Sequence, residues 1–392
     1  MPVHGCMTQI TIIGGGLAGL TAAIACAEEG AGVLLHEAHR TLGGRARSTA
    51  APYVANDGTH VLYSDGAPFR WLDRRGLAGP CRSLGLKEFR KFRVRYDSRL
   101  LARPPRPLVS ALLKRGREAP VHESFESWGH RHLGEEATSA VAGLLGVVTY
   151  EADPGRLSAK FVWDRFRRVS RPGFPSPRYV VGGWGRMIER MAARARDLGV
   201  VIETGSRVTA LPSGPVIVAT GLDAARTLLG DPALTWESGR SALLDLGLAR
   251  HPADAFLVSD LDEGGFLERY SSPDPTLAPE NESLVQLQIP LRPGEGKAAG
   301  VARLERLADL GLPRWRDRVT WRREALASGR TGALDLPGLT WRDRPAIDRG
   351  DGVRLAGDSV AAPGLLGEVA VNSGLEAARR TVESIRKTRQ LT

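Results

Sequence analysis

Apolar positions near the start of the chain follow two different spacings. Thr8–Ile13 is a continuous β-branched run, Leu17–Glu29 is rich in alanine and stops at Gly30, and Val33–His36 is a second short apolar run. A continuous run of this length is typical of a buried parallel strand. An alanine-rich stretch that stops at glycine predicts a helix. The order of strand, helix and strand therefore predicts a parallel α/β unit at the start of the chain.

Later stretches carry the same kinds of pattern. Residues 179–211 predict a helix with apolar Met187, Ile188, Met191 and Ala195 and then a strand, Pro215–Gly221 predicts a buried strand, and residues 352–379 predict a strand, a loop and a helix that starts near Glu368. Prolines and glycines at 170–178 and 271–281 are typical of joints or loops. At 392 residues the chain is long enough for two domains.

A glycine-rich turn joins the first predicted strand to the first helix. Residues 14–19, GGGLAG, satisfy the pattern G-x-G-x-x-G. Gly14 permits a tight turn, Gly16 lets the backbone approach a pyrophosphate, and Gly19 lets helix and strand pack closely. Glu37 ends the second strand eighteen residues after Gly19, where its carboxylate can accept hydrogen bonds from a ribose. The sequence therefore predicts a dinucleotide-binding unit of the Rossmann type.

A second glycine turn follows at Gly43-Gly44, with Arg45 directly after it and Ser48 three residues further on. Arg45 can reach phosphate oxygens with its two-pronged guanidinium. Together with the first motif, this element resembles the FAD-dependent amine oxidase, phytoene desaturase and protoporphyrinogen oxidase-like flavoprotein superfamily, on its desaturase side. Arg40 lies one residue further upstream than the R-x-G-G-R pattern of that superfamily requires.

The resemblance extends to both ends of the chain and implies FAD as the cofactor. Residues 56–63, NDGTHVLY, resemble the segment that passes the flavin ring, and Gly357-Asp358 resembles the pair that binds the ribityl chain or pyrophosphate. The last helix would then point its N-terminus at the N1/C2=O edge of the flavin, and Val208 would meet the adenine. The implied contacts with FAD are Gly14, Gly16, Leu17, Ala18, Gly19, Glu37, Ala38, Gly43, Gly44, Arg45, Gly58, Thr59, His60, Val208, Gly357, Asp358, Glu368, Val369 and Ala370.

The resemblance also implies how the chain divides. We expect an α/β, Rossmann-type FAD domain of the glutathione-reductase-like or GDI-like kind, interleaved with an α+β substrate domain. The FAD domain would comprise residues 1–65, 178–235 and 335–392, and the substrate domain residues 66–177 and 236–334. Only one dinucleotide fingerprint occurs, so a second site for a nicotinamide cofactor is not predicted.

The reaction is constrained by departures from the amine oxidases of this superfamily. Many of them place a lysine beside flavin N5, whereas Lys297 stands in a polar loop, and Leu366 stands where an aromatic residue is expected. These differences favour dehydrogenation or desaturation of an apolar or carrier-bound small molecule, with hydride transfer to flavin N5, in the biosynthesis of a specialised metabolite or isoprenoid. His60 is the candidate base, and Tyr150 and Arg178 are further pocket candidates. An amine or amino-acid oxidase, a non-redox flavin-dependent isomerase and a lipid-binding protein stay open as alternatives.

Charge and composition add an expectation about partners. The formal net charge is +10, and residues 87–117 hold eleven Lys or Arg against two acidic residues. This segment would attract an anionic membrane surface or an acidic partner or carrier protein, although it could equally be a solvated face. No nucleic-acid-binding motif accompanies it. Short apolar runs and the absence of a signal peptide predict a cytoplasmic protein, with peripheral membrane association as an extension. Cys6, Cys26 and Cys81 form no C-x-x-C pair, so no metal site is predicted.

Overall fold

The computed structural model describes residues 9–58, 60–171 and 177–391. Its strands are β1 Gln9–Ile13, β2 Gly32–Glu37, β3 Leu62–Tyr63, β4 Cys81–Arg82, β5 Phe92–Tyr96, β6 Arg99–Leu101, β7 Pro177–Val180, β8 Val201–Thr204, β9 Val216–Val218, β10 Ser238–Ala249, β11 Leu257–Asp260, β12 Phe266–Glu268, β13 Glu282–Pro290, β14 Val319–Ala333 and β15 Val353–Leu355. Its helices are α1 Leu17–Glu28, α2 Ala67–Asp73, α3 Leu86–Phe89, α4 Arg106–Leu113, α5 Phe125–His132, α6 Glu135–Thr149, α7 Ala159–Val169, α8 Gly183–Asp197, α9 Leu222–Leu229, α10 Lys297–Gly311 and α11 Gly367–Leu391.

The first sheet is parallel and has the strand order β15-β9-β1-β2-β8. β1 lies at its centre, where Ile12 pairs with Leu35 on one side and Ile217 on the other, and all three are fully buried. Helices cover this sheet, so its central strands read as continuous apolar runs. The predicted Rossmann-type unit is thereby confirmed, with the expected helix between β1 and β2.

The second sheet has seven strands in the order β14-β10-β13-β12-β11-β5-β6. Its long strands β10, β13 and β14 are antiparallel neighbours, and α10 packs against them in a separate apolar cluster. Helices α4 to α7 form another cluster around Trp163, which is fully buried. The two sheets alternate along the chain, since β5 and β6 lie between β2 and β8, and β10 to β14 lie between β9 and β15. The domain boundaries themselves stay a prediction.

A small three-stranded sheet, β3-β7-β4, includes the strand at which the chain returns to the first sheet. Leu62 pairs with Arg178 and Cys81 with Val180, both in antiparallel register. The short connection from β8 to β9 agrees with the sequence, which leaves little room for additional strands between them. No helix in the described ranges is long and apolar enough to cross a bilayer.

Helices α1 and α11 pack closely because small residues line their contact. A Cβ placed on Gly374 would lie 2.6 Å from the carbonyl oxygen of Ala18 and 3.2 Å from Cβ of Thr21. Contacts this short force two helix backbones apart or distort them.

We therefore expect Gly374→Ala to lower the free energy of unfolding by about 1–2 kcal/mol, since overpacking outweighs the gain in helix propensity of about 1 kcal/mol. Chemical denaturation measures the change. Ser384→Ala, an exposed change in the same helix, is the control and should be neutral or slightly stabilising. An equally stable Gly374→Ala protein would contradict the packing argument.

Candidate functional site

The first glycine turn has the geometry that a dinucleotide requires. Gly14 has φ +111°, and a Cβ there would lie 2.5 Å from the carbonyl oxygen of Ala219. A Cβ on Gly19 would lie 1.8 Å from the carbonyl oxygen of Gly14. A Cβ on Gly16, by contrast, would meet only Gly43 O at 3.9 Å. Gly14 and Gly19 thus serve the turn itself, and Gly16 leaves open space at the N-terminus of α1, where an anion is favoured.

Glu37 fixes the first glycine turn through hydrogen bonds to the backbone. Its carboxylate is buried and accepts hydrogen bonds from the N–H groups of Gly15 and His39, both at 2.8 Å. Each carboxylate oxygen has a second lone pair. Glu37 can therefore brace the loop and still accept from a ribose hydroxyl.

The second glycine turn lies against the first. The N–H of Gly43 donates to Gly15 O at 2.8 Å, and a Cβ on Gly44 would meet only Gly16 Cα, at 3.7 Å. A one-turn 3₁₀ helix, Gly44–Ala46, then turns the chain. The two turns together form a cleft lined by backbone, because no side chain of Gly16 or Gly44 fills it.

Arg45 connects the two ends of the chain. Its Nη2 lies 2.5 Å from Oδ2 of Asp358, which follows β15. Burial lowers the pKa of Arg45, but the charge and hydrogen bond of Asp358 outweigh burial and leave it raised. Gly357 is anchored in turn, since its N–H donates to Oγ of Ser373 at 2.9 Å. Two motifs more than 300 residues apart therefore meet at one ion pair.

The N-terminus of α11 closes the site from the other side. Glu368, in the first turn, accepts from Nη1 and Nη2 of Arg168 at 2.7 and 2.6 Å, and from the N–H of Leu365 at 2.9 Å. Val369 and Ala370 follow and are buried. The carboxylate of Glu368 is thus engaged by protein groups, and backbone N–H groups of the same turn are the part of this helix suited to a ligand.

His60 lies between these elements. Its Nε2 donates to the carbonyl oxygen of Arg45 at 2.9 Å, because a carbonyl can only accept, and its ring centroid lies 4.6 Å from that of Trp184. Gly58 is adjacent, since a Cβ there would lie 3.4 Å from the His60 ring. Thr59, predicted as a further contact, lies outside the described residues.

Tyr150 directly follows α6 and has φ +61°. Burial raises the pKa of its phenol, and the charges of Arg45 and Asp358 act on it. Tyr150 also acts electrostatically on Tyr63 and Tyr270. Tyr150 is therefore coupled electrostatically both to the predicted cofactor residues Arg45 and Asp358 and to two other tyrosines.

A second group of buried side chains was not predicted from the sequence. Glu268, on β12 and 2 % exposed, accepts a hydrogen bond from the phenol of Tyr179, and Tyr270 bonds it as well. Burial raises the pKa of Glu268 to about 7, against the opposing effect of these two hydrogen bonds. Four of the chain's six tyrosines, Tyr63, Tyr150, Tyr179 and Tyr270, are coupled electrostatically to this carboxyl group or to one another, and Tyr179 and Tyr270 bond it directly.

Three other predicted residues lie away from this group. Arg178 precedes Tyr179 on β7, and because side chains alternate along a strand it points to the opposite face. There it lies near Cys81, whose thiol pKa is raised by burial and lowered in part by Arg178. Val208 packs at the edge of the first core, and Ala38 follows β2. Contact of these residues with a ligand stays a prediction.

Some of the buried polar atoms that lack a hydrogen-bond partner lie near the start of α11. Eight buried side-chain nitrogen or oxygen atoms in the described part of the chain have no hydrogen-bond partner. Among them are Trp184 Nε1, Arg168 Nε and Ser64 Oγ. Trp184 packs on α11, since a Cβ on Gly367 would lie 3.3 Å from its ring, and Arg168 binds Glu368. Buried polar groups are normally satisfied, so these atoms indicate that a polar ligand completes the site.

A narrow cavity of about 20 Å³ opens beside Asp358, Leu366 and Val369. Arg165 on α7 lines it and lies 3.3 Å from the centre of the Phe161 ring. Burial lowers the pKa of Arg165 to about 9, with Asp335 acting in the opposite direction. The cavity therefore has a positively charged wall next to the predicted cofactor residues. No group of side chains in the described ranges is arranged to hold a metal ion.

Comparison with known proteins agrees with this architecture. Residues 12–75 match the model of the NAD(P)-binding Rossmann-like domain. No curated protein sequence matches the chain. Cyclohexylamine oxidase from Brevibacterium oxydans IH-35A superposes with a TM-score of 0.75 over 97% of this chain and 99% of its own, at 16% identity. The chain has the fold of the FAD-dependent amine oxidase-like superfamily.

Other structures with this fold differ in their chemistry. Reduced UDP-galactopyranose mutase superposes with a TM-score of 0.72 over 96% of both chains, at 16% identity. An oxidoreductase from Methanosarcina mazei superposes with a TM-score of 0.71 over 95% of this chain and 100% of its own, also at 16% identity. At this level of identity the likeness concerns the fold. The amine oxidase-like fold therefore has to be combined with the site geometry before a function is inferred.

Proposed function

We propose that this protein is an FAD-dependent oxidoreductase. The observation that carries the proposal is the ion pair between Arg45 and Asp358, which joins the glycine cleft of the N-terminal motif to the loop between β15 and α11. In an amine oxidase-like fold, these are the elements that enclose a flavin dinucleotide. The unsatisfied Trp184 Nε1 beside α11 supports a bound group with acceptor atoms.

The residues present fit FAD. The backbone at Gly16 and Gly44 would hold the pyrophosphate, and Glu37 would accept from the adenosine ribose. Arg45 would bind the phosphates beside its ion pair with Asp358. Asp358 would bind the ribityl hydroxyls. Backbone N–H groups at the start of α11 would face the N1/C2=O edge of the flavin. FAD supplies the electron acceptor for a hydride.

The protein's own contribution is orientation, exclusion of water and management of a proton. The buried tyrosines and Glu268 can hold a proton at a carboxyl oxygen at neutral pH, because the pKa of Glu268 lies near 7. Tyr150 is coupled electrostatically to the Arg45–Asp358 pair and to Tyr270. His60, whose Nε2 is engaged with Arg45 O, is better suited to fixing the second glycine turn than to acting as the base.

We favour carbon-centred dehydrogenation or desaturation of an apolar or carrier-bound small molecule. Lys297 begins α10, where it is half-exposed and pairs with Glu324 at 3.6 Å, so it does not fit a lysine buried beside the flavin. Leu366 lines the cavity next to Asp358 where an aromatic ring would mark an amine oxidase. The second candidate is an amine oxidase, which the likeness to cyclohexylamine oxidase favours.

The first test is the absorbance spectrum of the purified protein, which we expect to show bound flavin. Glu37→Ala and Asp358→Ala should each lower the affinity for FAD about 10- to 100-fold, since each removes charge-assisted hydrogen bonds. Titration of the apoprotein with FAD, followed by flavin fluorescence, measures the change. Glu189→Gln, an exposed change on α8, is the control. Flavin bound equally well by both alanine variants would contradict the assignment.

A second experiment separates the candidate reactions. Mass spectrometry identifies small molecules that co-purify, and each is added anaerobically to the flavin-loaded protein. Bleaching of the flavin by a compound without an amine supports dehydrogenation, and bleaching only by amines with peroxide release in air supports the second candidate. Turnover that needs reduced flavin and consumes no acceptor would instead identify an isomerase. Binding without any chemistry would identify a lipid-binding protein.

A further inference from the structure

The segment from 86 to 117 carries most of the apolar side chains that the surface exposes. Five of the nine large apolar side chains exposed in the described part of the chain lie there: Leu86, Phe89, Leu100, Val109 and Leu113. Leu113 is 84% exposed and Leu86 is 77% exposed. Single exposed leucines are common, but their concentration in one segment marks a surface that contacts something other than water. We name the exposed side chains of residues 86–117 the basic-apolar surface.

The positive charges of the same segment are mostly unpaired. Of its eleven Lys and Arg, only Lys87 and Arg95 have a carboxylate within 4.0 Å among the described residues. Elsewhere Arg303, Arg323 and Arg379 each pair with two carboxylates. The basic-apolar surface therefore has a net positive charge that the protein itself does not neutralise.

The topology brings both ends of this segment together. β5 and β6 form an antiparallel hairpin in which Val94 pairs with Leu101, so α3, before β5, and α4, after β6, leave from the same end. On α4, Leu108 and Ala111 are buried against the protein, whereas Val109 and Leu113 are exposed one turn apart. Arg106 precedes Val109 by three residues and continues the exposed stripe. Exposed apolar side chains thus occur together with basic side chains on α3, the hairpin and α4.

We propose that the basic-apolar surface docks the protein on an anionic lipid membrane. Lys and Arg close to a negatively charged leaflet are attracted to it, and their aliphatic stems can lie along the interface. Exposed Leu and Phe on a basic amphipathic element enter the boundary between headgroups and acyl chains. A lipid bilayer offers anionic headgroups to the basic side chains and acyl chains to the apolar ones, and it does not require a complementary protein shape.

An acidic protein partner fits these features less well. The core of a protein interface is depleted in lysine and normally buries its apolar residues as one packed patch. Here the exposed apolar side chains are separated by unpaired cations, such as Arg90 between Phe89 and the hairpin, and Arg99 before Leu100. Nucleic acid would use the cations but gives the exposed leucines no apolar environment.

The test is co-sedimentation of the full protein with vesicles containing about 30% phosphatidylglycerol in phosphatidylcholine, compared with pure phosphatidylcholine. We expect clear binding to the anionic vesicles and about 30-fold weaker binding to the neutral ones. The double variant Arg103→Glu/Arg106→Glu should weaken binding by at least about 25-fold, since each of the two positive charges lost is worth roughly fivefold and the two added carboxylates repel the membrane further. Leu113→Asn should weaken binding to the anionic vesicles about tenfold. The same tenfold difference from the unmodified protein should persist at high salt, because salt does not screen the burial of an apolar side chain.

Matched controls lie outside the surface. Arg196→Glu removes an exposed arginine of α8, and Leu310→Asn removes a leucine of α10 that is 38% exposed. Both should bind vesicles like the unmodified protein, and equal thermal unfolding midpoints should show that every variant is folded. Equal binding to neutral and anionic vesicles would overturn the proposal. So would loss of binding to soluble polyglutamate in the arginine variant while Leu113→Asn keeps full vesicle affinity, since that result identifies an acidic protein partner.

Discussion

A Gly19→Ala variant is expected to purify without flavin. The methyl group would lie 1.8 Å from the carbonyl oxygen of Gly14, 3.0 Å from its carbonyl carbon and 3.2 Å from Cβ of Ala219. All of these atoms are backbone or short side chain, so none can rotate away. The turn would have to open, and Gly16 and the N-terminus of α1 would leave the position in which they face the pyrophosphate. We expect flavin content to fall below about a tenth of that of the unmodified protein, measured by absorbance after gel filtration.

The control for this variant is Gly32→Ala. Gly32 begins β2, its backbone has an ordinary φ, and a Cβ there would meet no atom within 4 Å. The same chemical change is therefore expected to leave flavin content unaltered. Circular dichroism of both variants separates a local opening of the turn from global unfolding. Full flavin content in folded Gly19→Ala would show that the cofactor does not depend on this turn.

The parts of the site that could be predicted from sequence are those that lie next to each other in the chain. The positions of Gly14, Gly16 and Gly19 are set by a turn between one strand and one helix, and a fixed spacing records that geometry. The same holds for Asp358, which directly follows a buried strand. The meeting of Arg45 with Asp358 required the resemblance as well, because no local pattern connects residues so far apart.

The group around Glu268 could not be predicted in this way. Its tyrosines come from separate parts of the chain: Tyr63, Tyr150, Tyr179 and Tyr270. No local motif distinguishes any of them from an ordinary core aromatic residue. The ion pair of Arg168 with Glu368 likewise joins positions 200 residues apart. Such groups arise where elements distant in sequence pack together, here the small sheet β3-β7-β4 against β12 and α7 against α11, and single-sequence periodicity does not specify that packing.

The strand β7 shows why the face of a short strand is hard to predict. The prediction of Arg178 as a pocket residue stays open, and the structure shows that the neighbouring Tyr179 bonds Glu268. Side chains alternate between the two faces of a strand, so a displacement by one residue moves a functional group to the opposite face. The strand β7 has only four residues, Pro177–Val180, and its pattern was too short to fix which face is buried.

The largest pH effect is expected from Glu268→Gln. The pKa of Glu268 is about 7 in the folded protein, raised by burial from its ordinary value of 4.5. Below pH 4.5 the carboxyl group is protonated in both the folded and the unfolded state. Between pH 4.5 and 7 the unfolded chain loses this proton and the folded protein keeps it, so unfolding releases a proton and stability falls as pH rises. Glutamine, which is neutral and similar in shape, removes this dependence.

We therefore expect the unmodified protein to lose on the order of 3 kcal/mol of stability relative to Glu268→Gln as pH rises from 4.5 to 8. Urea unfolding of the two flavin-loaded proteins at pH 4.5, 6 and 8 measures the difference, which should widen up to pH 7 and then stay constant. Glu189→Gln, whose carboxylate is exposed on α8, should show no comparable trend. A constant difference across this range would mean that the pKa of Glu268 in the folded protein is close to its ordinary value of 4.5, and the proton that the proposed mechanism stores there would need another carrier. Because Tyr179 and Tyr270 both bond this carboxyl group, their phenols are the next groups to replace.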